Sequence, residues 1–223
     1  MPGGWAMSMP WMRMPGQSWA ATAASFLGMW IAMMVPMMLP SLVPMLRHYR
    51  AAVAKTGATR LGLPTTFAGV GYFAVWAAFG AIAFPLGATL AAIEMREPAV
   101  ARAVPVAIGA VVAIGGALQL TAWKAHHLAC CREAPGAGRA LPADLGTAWR
   151  HGLRLGLHCC QCCLGPIAIL LAVGVMDLRA MVAVTAAITL ERLAPAGDRV
   201  ARAIGFGVIG IGLLLVARAA RLG

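Results

Sequence analysis

The chain has 223 residues, of which 61% are hydrophobic and 11% are charged, and its formal net charge is +11. This composition and a mean hydropathy of +0.81 exclude an ordinary water-soluble domain and predict a polytopic membrane protein. The basic residues lie between the apolar stretches, which favours a role in membrane orientation and contact with lipid headgroups over nucleic-acid binding.

The first 18 residues are predicted to form a Met-rich extracytoplasmic tail, followed by a single transmembrane helical domain over residues 19–223. No cleavable signal is predicted, because the tail lacks a continuous apolar core. Closely spaced thioethers suit Cu(I) or Ag(I). The alternative is an interfacial segment whose tryptophans and methionines rest in the headgroup layer. The methionines concerned are Met7, Met9, Met12 and Met14.

The first predicted span covers residues 19–46 and contains Pro36, Pro40 and Pro44. Each proline removes a backbone donor and obstructs the preceding turn, so a helix broken by its prolines is predicted. Freed carbonyl groups at membrane depth require a buried face. Methionine stripes on this span are candidate metal ligands, although methionine also fills gaps beside kinks. The candidates are Met33, Met34, Met37 and Met38.

Five further spans are predicted, which gives an all-α bundle of about six transmembrane helices. They cover residues 65–93, 103–123, 150–176, 178–193 and 200–217. Most lysine and arginine residues lie in and beside the connections that follow the first, third and fifth spans. Because basic residues favour the cytoplasmic side, both termini are predicted to lie outside the cytoplasm.

His127 and Cys131 lie four residues apart in the polar stretch after the third predicted span. They share a face if that helix extends to them, and they then form half of a metal site. The alternative is a helix end that merely carries polar side chains.

Four of the six cysteines lie within residues 158–163, inside the apolar fourth span. At about 100° per residue, Cys159, Cys162 and Cys163 share one helix face. His158 borders that face and Cys160 points elsewhere. Neighbouring thiols on one helix do not easily reach disulfide geometry, so reduced thiols or metal ligands are predicted.

Gly152 and Gly156 fall on the same face as these thiols. This spacing lets another helix backbone approach closely within a membrane, so the thiols are predicted to face protein rather than lipid.

Glu191 is a carboxylate inside the fifth predicted span, which makes it a candidate site residue. The alternative is a boundary residue paired with the adjacent Arg192. The predicted orientation brings the thiols, the methionines and Glu191 into the cytoplasmic half of the membrane, as one site shared between spans.

The order of these motifs resembles a bacterial family of predicted metal-binding integral membrane proteins, which carries a domain-of-unknown-function label. The resemblance covers nearly the whole chain and implies a multi-pass protein of the bacterial cytoplasmic membrane. The motifs are Met-Met-x-x-Met-Met-x-Pro-Ser at residues 33–41, Gly71-Tyr72-x-x-Val75-Trp76, Gln119-Leu120-Thr121 followed by Lys124, Cys131-Arg132, Cys159-x-x-Cys162-Cys163, Gly174-Val175-Met176 and Glu191.

The chain departs from the family pattern at four positions. His127 stands where the first of two cysteines is expected and Arg192 where lysine is expected, while His158 replaces an aromatic residue and Leu164 a tryptophan. The exchange of cysteine for histidine retains a ligand but argues against a site made only of thiolates.

The sequence thus predicts a membrane protein that binds a soft metal, with Cu(I) favoured and zinc as the alternative metal. Such a protein handles copper or delivers it to a membrane cuproenzyme or a metallochaperone. Competing hypotheses are a metal-free structural or assembly subunit and a small transporter. An enzyme is not expected, because the sequence lacks the usual catalytic and nucleotide-binding motifs. The oligomeric state is left open.

Overall fold

A computed structural model describes residues 11, 13, 16–132, 141–175 and 177–222. The described part contains helices and no strands, which confirms the all-α prediction. The predicted methionines of the tail, Met7, Met9, Met12 and Met14, lie outside the described residues. The helices are Trp19–Ala54 (α1), Gly62–Arg96 (α2), Pro98–Leu118 (α3), Ala122–Arg132 (α4), Leu145–Val173 (α5), Leu178–Leu193 (α6) and Gly197–Leu222 (α7).

Within the described residues, five helices are long and apolar enough to cross a membrane: α1, α2, α3, α5 and α7. The fifth predicted span corresponds to α6, which has 16 residues. That length is below the roughly 20 residues that usually cross the hydrocarbon core. The polytopic helical bundle is therefore confirmed, while the placement of the termini stays a prediction.

The first helix is continuous, so the predicted break at its prolines is wrong. Pro36, Pro40 and Pro44 all lie inside α1. Their spacing of four residues puts the lost backbone hydrogen bonds near one side of the helix, and the other sides retain theirs. The predicted burial of the proline face is also wrong, because Pro36 is exposed and the other two prolines are half-buried.

The buried side of α1 carries the methionines into the core. Met33, Met34, Met37 and Met38 are all buried there. The indole nitrogen of Trp30 on α1 donates a 2.9 Å hydrogen bond to the carbonyl oxygen of Trp76 on α2. This buried bond fixes the methionine face of α1 against α2.

Glycines allow α2 and α5 to pack at backbone distance, as the spacing of Gly152 and Gly156 predicts. A methyl group added at Gly152 would collide with the carbonyl group of Ala68. A methyl group at Gly156 would lie 2.8 Å from the carbonyl oxygen of Tyr72. The thiol-bearing face of α5 therefore packs against protein.

Asp144 caps the N-terminus of α5. Its carboxylate accepts hydrogen bonds of 2.9 and 3.2 Å from the backbone N–H of Thr147. Hydrogen bonding from Thr147 holds the pKa of this exposed carboxyl group below its usual value. An acidic cap satisfies a helix N-terminus, and it fixes where α5 begins relative to the site.

Candidate metal centre

The cysteines of α5 have the orientation that helical spacing predicts. Cys159, Cys162 and Cys163 are buried, whereas Cys160 is half-buried. Cys131 of α4 is also buried, and all six cysteines are free thiols. Two helices therefore carry four buried thiols.

Three helices bring sulfur atoms to the thiol cluster, which we define as Cys131, Cys159, Cys162 and Cys163. The Cys159 sulfur lies 4.0 Å from the Cys163 sulfur and 3.8 Å from the Met38 sulfur of α1. Cys162 and Cys131 are buried in the same core as these two cysteines. The arrangement offers thiol and thioether ligands within one buried volume.

Tyr72 of α2 also contacts the thiol cluster. Its hydroxyl oxygen lies 2.8 Å from the Cys159 sulfur. The backbone of the same residue is the close neighbour of Gly156. Packing between α2 and α5 therefore fixes the orientation of Cys159.

The guanidinium group of Arg192 lies among the thiols. Its Nη2 atom donates to the sulfur atoms of Cys159 at 3.0 Å, Cys163 at 3.5 Å and Cys131 at 3.7 Å. Only 7% of Arg192 is exposed, and a buried charge requires polar or charged partners. The thiol cluster is therefore an environment that stabilises positive charge.

Glu191, which the sequence offered either as a site residue or as a boundary residue paired with Arg192, is buried in the bundle together with Arg192. The Lys124 ammonium group lies 2.7 Å from a Glu191 carboxylate oxygen, and the Gln119 side chain donates to the other carboxylate oxygen. Lys124 also donates a 2.7 Å hydrogen bond to the carbonyl oxygen of Cys162. Glu191 is thereby linked to the thiol-bearing turn of α5.

Sequence reasoning missed Arg192, Lys124 and Tyr72 as site residues. Lys124 and Tyr72 stand in motifs that carry the family resemblance, which is a signal for both. Their contacts depend on how α2, α4 and α6 pack against α5, and local sequence patterns do not specify that packing.

The two predicted histidines lie side by side next to the thiol cluster. The ring centres of His127 and His158 are 6.2 Å apart. The Nδ1 atom of each ring is buried and has no hydrogen-bond partner among the described residues. The structure thus brings both imidazoles together at the α4–α5 contact.

The predicted methionines contribute unequally to the contacts around the thiols. Met38 contacts Cys159, while Met33, Met34 and Met37 belong to the same buried core. In the part of the chain that the structure describes, no group of three or more His, Cys, Asp or Glu side chains is arranged to hold a metal ion. Arg192 occupies the space between the thiols.

Comparison with known proteins identifies a copper-related family. The family model PpoB2, described as a copper chaperone, matches residues 27–215. No curated protein and no solved structure matches the chain. The match agrees with the predicted metal-related membrane family but replaces its unknown function with copper handling.

Proposed function

We propose that this chain, which belongs to the PpoB2 copper chaperone family, binds Cu(I) inside the membrane and delivers it to a membrane cuproenzyme. The observation that carries this proposal is the convergence of sulfur ligands from three helices. Cys159 stands at its centre, within 4.0 Å of the Cys163 sulfur and 3.8 Å of the Met38 sulfur.

Ligand chemistry favours Cu(I) as the cargo. Thiolates and thioethers are soft ligands, which select Cu(I), whereas zinc has little use for the thioether of Met38. Binding requires thiols to lose protons, and the copper ion keeps its oxidation state. A site of exchangeable sulfur ligands therefore suits an ion that is handed on.

Arg192 supplies the charge that balances the loaded site. Two thiolates and one Cu(I) carry a net charge of −1, and the guanidinium group at 3.0 Å from Cys159 carries +1. A neutral sum is favourable because an unpaired charge inside a bundle is costly. We therefore assign Arg192 to charge compensation and the thiols, with Met38, to copper binding.

Metal analysis tests the assignment of the thiols. Detergent-purified protein is loaded with Cu(I) without oxygen, freed of excess metal by gel filtration and analysed for copper and zinc. We expect about one tightly held Cu(I) per chain, and loss of that ion in a variant with Cys159→Ser, Cys162→Ser and Cys163→Ser.

The matched control carries Cys130→Ser and Cys160→Ser, because these two thiols are half-buried and lie outside the thiol cluster. It should retain its copper. Equal, sub-stoichiometric copper and zinc in the wild-type protein and the triple variant would contradict the proposal.

A second experiment tests delivery in cells that lack the chain and are limited for copper. Only forms of the protein with an intact thiol cluster should restore the activity of a membrane cuproenzyme.

A further inference from the structure

A small cavity adjoins the thiol cluster on the side of α1. Its volume is about 50 Å³, which is enough to hold a water-sized ligand. The cavity lies between the C-terminal half of α1 and the buried Cys131 thiol. Its lining includes Ser41, Pro44, Met45, His48, Cys131 and Arg192.

The α1 side of this cavity is one helix face. Ser41, Met45 and His48 recur at the spacing of successive turns. Ser41 and Met45 are buried, whereas His48 is exposed. The cavity therefore runs from an exposed imidazole, past a buried thioether, to the Cys131 thiol.

This face continues the methionine stripe that reaches the thiol cluster. Met38, which contacts Cys159, and Met45 lie two turns apart on α1, and both are buried. From Met38 to His48 the helix rises by about 15 Å. Soft or imidazole ligands thus extend along one helix from the buried thiols to an exposed position.

Polar atoms at the cavity lack partners within the described residues. They are the Ser41 hydroxyl oxygen and the Nε and Nη1 atoms of Arg192. Buried polar groups are nearly always hydrogen-bonded, to protein or to water. Ser41 and Arg192 therefore bring polar groups to the lining of this cavity, and such groups can accept or replace the water ligands of an entering metal ion.

We infer that this cavity is the copper entrance, and that Met45, His48 and Cys131 form a transient Cu(I) site within it. The inference rests on the proposed function, because it supplies the ion to the thiol cluster. A thioether, an imidazole and a thiolate are all ligands that Cu(I) accepts. Within the described residues, the hydrogen bonds of the thiol cluster involve neither Met45 nor His48.

Transfer from the entrance is a ligand exchange without electron transfer. The bonds from Cu(I) to the His48 nitrogen and the Met45 sulfur break as bonds to the Cys159 and Met38 sulfurs form. The bond to the Cys131 thiolate is kept, so the loaded site holds two thiolates. The thiols that bind release their protons to water, and Cys131 serves both sites because it borders the cavity and the thiol cluster.

Equilibrium binding of Cu(I) tests the entrance site separately from the thiol cluster. In the variant with Cys159, Cys162 and Cys163 replaced by serine, we expect weakly bound Cu(I) whose X-ray absorption spectrum contains nitrogen and sulfur neighbours. Adding Met45→Leu and His48→Ala should abolish that signal. A spectrum that is unchanged by these two substitutions, or no bound Cu(I) in the triple variant, would overturn the inference.

Loading kinetics test the entrance with the thiols intact. Met45→Leu with His48→Ala should slow Cu(I) loading about tenfold, as expected for loss of accessory metal contacts, and leave the final copper content unchanged. Met29→Leu on α1 and His126→Ala, which lie outside the cavity lining, serve as controls. An unchanged loading rate would also overturn the inference.

The two proposals fail in different ways. If the wild-type protein holds no tight Cu(I), the thiol assignment fails whatever Met45 and His48 do. If tight binding depends on the thiols while neither the loading rate nor the weak site depends on Met45 and His48, only the entrance fails. Gel filtration and thermal unfolding of each variant exclude loss of the fold as the cause.

Discussion

At the scale of single residues, the contacts of Arg192 give the most specific test of the chemistry of the site. Its Nη2 atom contacts three sulfur atoms at 3.0 to 3.7 Å, and the side chain is buried. If this cation balances a copper dithiolate, Arg192→Gln should weaken Cu(I) binding by about 10- to 100-fold, the usual effect of changing a group that supports metal ligands. Competition titration against a chromogenic Cu(I) chelator measures the change.

Arg192→Lys is the matched variant, because it keeps the positive charge and loses the planar fork of donors. It should restore most of the lost affinity if charge is the function. A purely structural role would lower the unfolding temperature of both variants and leave their copper affinities alike. Equal affinity in wild-type protein and Arg192→Gln would contradict charge compensation.

The inward face of the cysteine helix was predictable, whereas the partners of that face were not. The positions of Cys159, Cys162 and Cys163 follow from the helical repeat, which is a local property. The contacts of Arg192 with the thiols join residues that are 29 to 61 positions apart in the chain. The Lys124–Glu191 ion pair joins α4 to α6. They arise only when α4, α5 and α6 pack together.

At the scale of helices, the contact between α2 and α5 holds the cysteines in place. A methyl group at Gly152 would meet the backbone of Ala68, which cannot rotate away as a side chain can. We expect Gly152→Ala to destabilise the fold by about 1–3 kcal/mol, the usual cost of overpacking, and to disturb the contact between Tyr72 and Cys159. Thermal unfolding and Cu(I) titration measure the two effects.

Gly207 provides the control for this substitution. It lies inside α7, and apart from the local backbone of that helix no atom of the described residues would lie within 4 Å of an added methyl group. Gly207→Ala should therefore leave both unfolding and copper binding close to wild type. Similar destabilisation by both substitutions would show that close backbone packing at Gly152 is not the cause.

The prolines of α1 show that the effect of proline on a helix depends on how the prolines are distributed around it. Each proline removes a hydrogen bond, yet Pro36, Pro40 and Pro44 fall near one side, and α1 stays continuous. The buried methionines of α1 are consequently presented at regular helical spacing. A broken helix would not align Met38, Met45 and the cavity along one face.

At the scale of the whole molecule, the side of the membrane on which the C-terminus lies depends on whether α6 crosses the membrane. It has 16 residues, and no charged residue lies between Ala180 and Leu190. Leu178 and Val182 are 72% and 68% exposed, whereas Glu191 and Arg192 face the bundle. An apolar outer face and buried charges are what a lipid environment requires, so we expect α6 to cross the membrane despite its length.

With six crossings we expect both termini on the same side, and the basic connection between α1 and α2 predicts that this side is outside the cytoplasm. Reporter fusions test this orientation in bacterial cells. A phosphatase that is active only outside the cytoplasm should be active when fused after Gly223, and a fluorescent protein that matures in the cytoplasm should be dark there. The same reporters inserted near Gly57, in the α1–α2 connection, should give the reverse result. Cytoplasmic fluorescence at both positions would mean that the number of crossings after this connection is even, and that α6 does not span the membrane.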